Sequence, residues 1–192
     1  VTGLTTVTTS TAHGLSVNET INVSGIAFTC SYSGSGPVNV TNAIYDNVTG
    51  ILTVTTATAH NLNTSGQRSD VLLTGLGFTC GLDGGASTHV YPRTTDPIYC
   101  GTPVLSTPTT TSFTVDAGIS TVPTFYQSGG TAQPSIIAPR VNNNSSSGFD
   151  PASQGSSVLS IIDSTNFTIN TGISTRAHFY ARCGTVTKPI DI

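Results

Sequence analysis

Two stretches of this 192-residue chain are each written twice, and repetition on that scale decides how every other residue is read. LTVTTATAH at 52–60 restates TTVTTSTAH at 5–13, and LLTGLGFTC at 72–80 restates INVSGIAFTC at 21–30; we call this unit the head. Residues 96–131 align without a gap to residues 150–185, with 17 of 36 positions identical, and form the tail. The order head, head, tail, tail has two readings. In the nested one, an inner module (45–131) is inserted into a loop of an outer module made of 1–44 and 132–192, an arrangement folded domains tolerate when their ends lie close together. In the linear one, three units follow in a row, the first without a tail and the third without a head. Pro92-Arg93 and Pro139-Arg140, each upstream of its tail, favour nesting.

Thr is the commonest residue, while Lys188 and Glu19 are the only lysine and glutamate, so the Ala, Leu, Glu and Lys that build helices are scarce. Apolar or β-branched side chains alternate in Thr5–Thr9, Ile21–Val23, Leu52–Thr55, Val71–Leu73, Phe113–Val115 and Phe167–Ile169, which read as short strands. Between them, Asp46-Asn47-Val48-Thr49-Gly50, His13-Gly14, Asp83-Gly84-Gly85 and Ser128-Gly129-Gly130 supply turn chemistry. Such spacing predicts an all-β protein: two homologous small antiparallel β-sandwich or open-barrel modules. Residues 141–157, polar and without pattern, are expected to form a long loop.

Only 8% of the residues are charged and the net charge is −3, so there is no basic field for nucleic acid. No apolar run approaches the roughly 18 residues of a spanning helix, so membrane insertion is not expected. With no methionine, and with ends that read like interior sequence, the chain is expected to be a segment of a longer polypeptide.

The sequence offers no catalytic, metal or cofactor constellation. Four cysteines without a CxxC pair, and His13, His60, His89 and His178 without an HxxxH spacing, leave no zinc signature. Cys30 and Cys80 follow Phe28 and Phe78 by two residues, on the same strand face. The cysteines are either buried thiols or, with one bridge per module, Cys80 with Cys100 and Cys30 with Cys183. His13 and His60 recur in Thr-Ala-His-(Gly/Asn)-Leu, and a residue copied with its module serves the fold: each is expected to bond backbone at the end of the first strand. The carboxylates read as turn residues, and no pair stands out for glycoside hydrolysis. Candidate contact residues are the tyrosines Tyr32, Tyr91, Tyr99, Tyr126 and Tyr180, whose rings offer stacking faces, with loops 31–37, 83–89 and 141–157 presenting contacts.

TVTTSTAHGLSVNETINVSGIAFTC, YDNVTGILTVTTATAHNL and FTINTGISTRAHFYARCGT together resemble the repeated β modules of very large virion structural proteins of marine tailed phages, especially T4-like cyanophages. The resemblance covers nearly the whole chain, and Cys183 departs from it where the pattern has Gly. It implies a non-enzymatic virion or extracellular role in tail, fibre or capsid surface, in a homo-oligomer or against other virion proteins. An adhesin that binds a host-surface glycan through the tyrosines is the alternative, and a polysaccharide depolymerase is the enzyme reading.

Overall fold

The computed structural model describes residues 2–31, 34, 36–65, 68–137, 155–173 and 176–189. These are almost entirely β, with one 3-10 turn at Gly81–Asp83. The strands in chain order are β1 (Leu4–Thr8), β2 (Thr20–Ser24), β3 (Ala27–Cys30), β4 (Val38–Tyr45), β5 (Ile51–Thr56), β6 (Asp70–Thr74), β7 (Leu76–Cys80) and β8 (Thr88–Tyr91). They continue as β9 (Thr102–Thr109), β10 (Ser112–Asp116), β11 (Thr124–Ser128), β12 (Thr131–Ile137), β13 (Ser156–Ile161), β14 (Asn166–Asn170), β15 (His178–Arg182) and β16 (Thr185–Thr187).

All pairings are antiparallel, and they follow the repeat in one register. Val54 faces Phe113 across β5 and β10, as Val7 faces Phe167 across β1 and β14. Val71 pairs with Thr102, and Ile21 with Ser156. Leu73 faces Ala132 between β6 and β12, as Val23 faces Val186 between β2 and β16. Cys80 is opposite Thr124, and Cys30 opposite His178. Even β8 has a counterpart: His89 pairs with Phe78, and Ile136, near the end of β12, pairs with Phe28. The first head therefore pairs with the second tail, and the second head with the first tail.

The modules differ in closure. In the inner one β12, β4, β5, β10, β9 and β6 pair in turn, and β6 returns to β12, closing a six-stranded barrel. Its core holds Val54, Val71, Leu73, Leu76, Phe113 and Val115, all fully buried. Burying a side chain of that size contributes about 1.5–3 kcal/mol. In the outer module the order β1-β14-β13-β2-β16 stays open among the described residues, around Ile21, Val23, Val158, Phe167 and Ile169. Closure moves the expected boundaries, because 38–44 and 132–137, assigned above to the outer module, supply β4 and β12 of the inner barrel. β12 serves both modules: Thr131 and Ala132 pair with β4, while Ile136 and Ile137 pair with β3. Pro134, which has no N–H to leave unpaired, sits at the changeover. The expected loop 141–157 also ends early, since Ser156 and Ser157 begin β13 by pairing with β2; residues 141–154 lie outside the described residues.

The β4–β5 turn follows from its residues. The Asp46 carboxylate accepts the Val48 and Thr49 N–H groups at 2.9 and 3.3 Å, and the Thr49 hydroxyl, with these amides, holds it below the usual carboxylate range. Gly50 then takes φ +76°, and a Cβ there would lie 2.7 Å from the Gly118 carbonyl carbon. Gly3 repeats this against Gly172, with φ +70° and the same 2.7 Å.

Candidate functional site

Where the inner barrel meets the three-stranded sheet β11-β7-β8, Phe78 stands between two tyrosines. Tyr91 and Tyr126 meet its ring edge-on, at centroid distances of 5.8 and 5.7 Å. Such edge contacts add about 0.5–1.5 kcal/mol to the burial. Beside them opens a cleft of about 290 Å3, lined among others by Tyr45, Phe78, Tyr91, Arg93, Asp96 and Ile119. The Tyr45 hydroxyl donates to the Gly118 carbonyl at 2.6 Å, and burial raises its pKa. The Arg93 guanidinium lies 4.7 Å over the Tyr91 ring and 2.9 Å from Asp96, whose hydrogen bond holds it charged above its usual range. Its charge is thus matched within the cleft wall rather than offered to an anion. A neighbouring depression of about 470 Å3 adds Asp83, Ser87 and His89.

Aspartate, serine and histidine together invite a nucleophile reading, and their order argues against it. Ser87 is the middle member: its hydroxyl donates to the Asp83 carboxylate, and the His89 Nε2 lies 3.0 Å away. With the hydroxyl proton committed to Asp83, the imidazole contributes an N–H and no lone pair faces the serine, whereas nucleophilic catalysis needs the histidine to accept that proton. The same Ser87 hydrogen bond, with three backbone N–H groups, keeps the Asp83 carboxyl low, as a turn cap would be. Asp163 is held low in the same way, first by the Thr165 N–H and then by the Asn166 and Thr165 side chains. Among the described residues, no three His, Cys, Asp or Glu side chains are grouped to hold a metal ion. Among the same residues, no helix is long and apolar enough to cross a membrane.

The four described tyrosines among the five do not form one surface. Tyr32 lies outside the described residues. Tyr91 and Tyr126 are half-buried on Phe78, and the Tyr126 hydroxyl donates to the carbonyls of Val40 and Gly129 at 3.2 and 2.8 Å. Tyr99, also half-buried, is covered by the Arg182 guanidinium at 4.4 Å. Tyr180 alone among the four is exposed, at 66%.

His13 and His60 are fold residues in both copies. His60 Nδ1 accepts the Leu62 N–H at 2.9 Å, Nε2 meets the Thr109 carbonyl at 3.1 Å, and the ring stands edge-on to Phe113 at 5.2 Å. His13 repeats this with Leu15, Asp163 and Phe167, at 2.9, 3.0 and 5.1 Å.

The cysteines correct the expected pairing. The bridge is Cys100–Cys183, with Cα atoms 5.7 Å apart and a sequence separation of 83, so neither Cys80–Cys100 nor Cys30–Cys183 forms. Cys80 is a half-buried free thiol, and the Cys30 side chain is outside what is described. Because Cys100 belongs to the inner tail and Cys183 to the outer, the bridge ties the modules together. Arg182, next in sequence, crosses the same boundary to reach Tyr99 and the Leu73 carbonyl at 2.9 Å. Spacing within each repeat had no means of showing this, since neither cysteine has a repeat partner. Cys183 keeps the turn of its glycine counterpart: its φ is +66°, against +76° at Gly129.

No protein-family model matches the chain, and neither a curated protein nor a solved structure is found to match it.

Proposed function

We propose that this chain is a non-enzymatic structural segment of a phage virion, a tail, fibre or capsid-surface component built of repeated β modules. The observation that carries the reading is the second copy: one set of strand pairings is repeated register for register, and the copies are clamped by the 99–182 contact and the 100–183 bridge. A duplicated module held this way is a building unit whose stiffness comes from strand ladders, and the closed inner barrel has no free edge to fray or misassociate. The carboxylates described above are taken up in their own turns, which fits a load-bearing part better than a reactive one. Its partners are other copies of itself or other virion proteins.

Mass spectrometry of purified particles and native mass measurement test this reading. Peptides of this sequence are expected to co-purify with the particle, in a polypeptide heavier than the 19.6 kDa of the 192 residues and in an oligomer. A freely soluble monomer of that mass sinks the proposal.

A second reading, a glycan-binding adhesin, draws on Tyr180 with its exposed neighbour Phe179. It predicts glycan-array binding that Tyr180→Ala abolishes and Tyr91→Ala, on a half-buried ring, leaves in place.

A further inference from the structure

The cleft beside Phe78 joins an apolar lining to a polar rim without net charge. Leu52, Leu76, Phe78 and Ile98 supply the lining, and all four are buried. Two of them have smaller or polar counterparts in the outer repeat, Thr5 for Leu52 and Ala152 for Ile98, so this lining belongs to the inner module and not to the copied fold. At the rim, Arg93 gives Asp96 its backbone N–H at 2.7 Å and its Nε and Nη2 donors at 3.2 and 2.9 Å. Its Nη1 donors have no acceptor among the described residues. An anion approaching Arg93 meets the Asp96 carboxylate as well, whereas a hydroxyl, which donates and accepts at once, finds a partner in each. The neighbouring depression continues the same space, because Tyr91, Arg93, Ser120 and Thr124 line both. Its further walls include Asp83, Ser87 and His89, so the trough runs from an apolar end to a polar one.

We propose that this trough binds a neutral glycan: a sugar ring with one apolar end, as in a 6-deoxyhexose, enters the cleft, and the next sugar lies along Asp83, Ser87 and His89. A cleft of about 290 Å3 holds one ring, at the small end of ligand pockets, which start near 300 Å3 and are found in barrel mouths. The apolar end of the ring displaces water from Leu52, Leu76 and Ile98, and its hydroxyls bridge Arg93 and Asp96. Tyr45 is fixed in the wall by its bond to the Gly118 carbonyl, so the cleft is formed before the ligand arrives. The inference does not rest on the virion reading, and it uses a different surface from that of Tyr180.

Titration of the isotope-labelled chain with methyl glycosides, followed through backbone amide shifts, tests it. A methyl 6-deoxyhexoside is expected to shift the amides of Ile98, Gly118, Ile119 and Ser120 with a Kd roughly millimolar, and the matching methyl hexoside to bind several-fold more weakly. A methyl hexuronide is expected to bind about tenfold more weakly or not at all, since its carboxylate meets Asp96. A disaccharide ending in the 6-deoxyhexose adds shifts at Ser87 and His89. Asp96→Asn frees the Arg93 charge and makes the hexuronide the tightest of the three, a gain that misfolding does not produce. Tyr91→Ala removes the ring on which Arg93 lies and is expected to abolish binding, while Tyr180→Ala leaves it unchanged, the reverse of what a Tyr180 surface predicts. No shift at the cleft amides, equal binding of the three glycosides, loss on Tyr180→Ala, or an unchanged order in Asp96→Asn overturns the proposal. So does a proline-rich peptide that shifts the cleft amides where the sugars do not. Particle association enters none of these readouts, so failure here and failure of the virion reading are distinguishable.

Discussion

The inner barrel and the outer sheet share sequence, register and turns, yet among the described residues one closes and the other stays open. The inner one buries Val54, Leu62, Leu76 and Ala132; the outer one leaves Val7, Leu15, Ile26 and Val186 partly in water. In the inner module β4 bridges β5 and β12, and among the described residues no strand bridges β1 and β16. A repeated sequence fixes which strands pair, but closure depends on a strand that belongs to neither head nor tail. The largest test of the contrast is Phe113→Ala against Phe167→Ala, both rings being fully buried in their own barrels. Phe113→Ala is expected to cost about 3–5 kcal/mol in urea unfolding. Phe167→Ala should fall at or below the low end of that range, because solvent reaches the vacated space from the open side. Equal costs would mean that the opening has no energetic consequence.

Next is the clamp. Cys183→Ser removes a cross-link spanning 83 residues and is expected to lower stability by about 2–5 kcal/mol. Followed by strand-resolved hydrogen exchange, it should deprotect the outer strands before the inner barrel. Uniform loss across both would show one cooperative unit rather than two.

The paired histidines give a smaller effect. His60→Ala leaves the Leu62 N–H and the Thr109 carbonyl without partners at a site 2% exposed, a loss of about 1–3 kcal/mol in thermal or urea melts. His13→Ala, at a site with more access to water, should cost about 1 kcal/mol or less, since water replaces the lost bonds. Reversal of that order would contradict the burial difference.

The smallest effect is a pH dependence that the outer module alone carries at one equivalent position. His178 occupies the place that Thr124 holds inside, and burial pulls its pKa below the ordinary 6.5. The folded chain therefore binds a proton less readily than the unfolded one. Stability is full above about pH 6.5 and falls as the pH drops below it, because unfolded chains take up the proton first. His178→Thr should flatten that part of the stability profile; an unchanged profile would assign the slope to other groups.

Much of the fold was legible. Alternation at Val7, Ile21, Val54, Val71, Phe113 and Phe167 gave six of the strands, and the repeated Thr-Ala-His-x-Leu placed both histidines as backbone-bonding turn residues. What stayed hidden has physical causes. β4 alternates visibly in Val38-Asn39-Val40, but its membership in the inner barrel is a matter of which edges are free to pair, and local pattern does not count edges. The cleft around Phe78 was equally hidden, because Tyr45, Tyr91 and Asp96 come from distant segments that meet only when the sheet folds over the barrel mouth.

By itself the sequence determined strand chemistry, turn chemistry and the equivalence of two modules, since period-two patterning, Asx turns and positive-φ glycines act over a few residues. Only the tertiary structure decided which barrel closes, that β12 serves both, and that Cys100 meets Cys183 rather than a cysteine of its own module. Those outcomes depend on long-range proximity, on which edge is left without a partner and which two loops come within 5.7 Å, and no local rule encodes proximity.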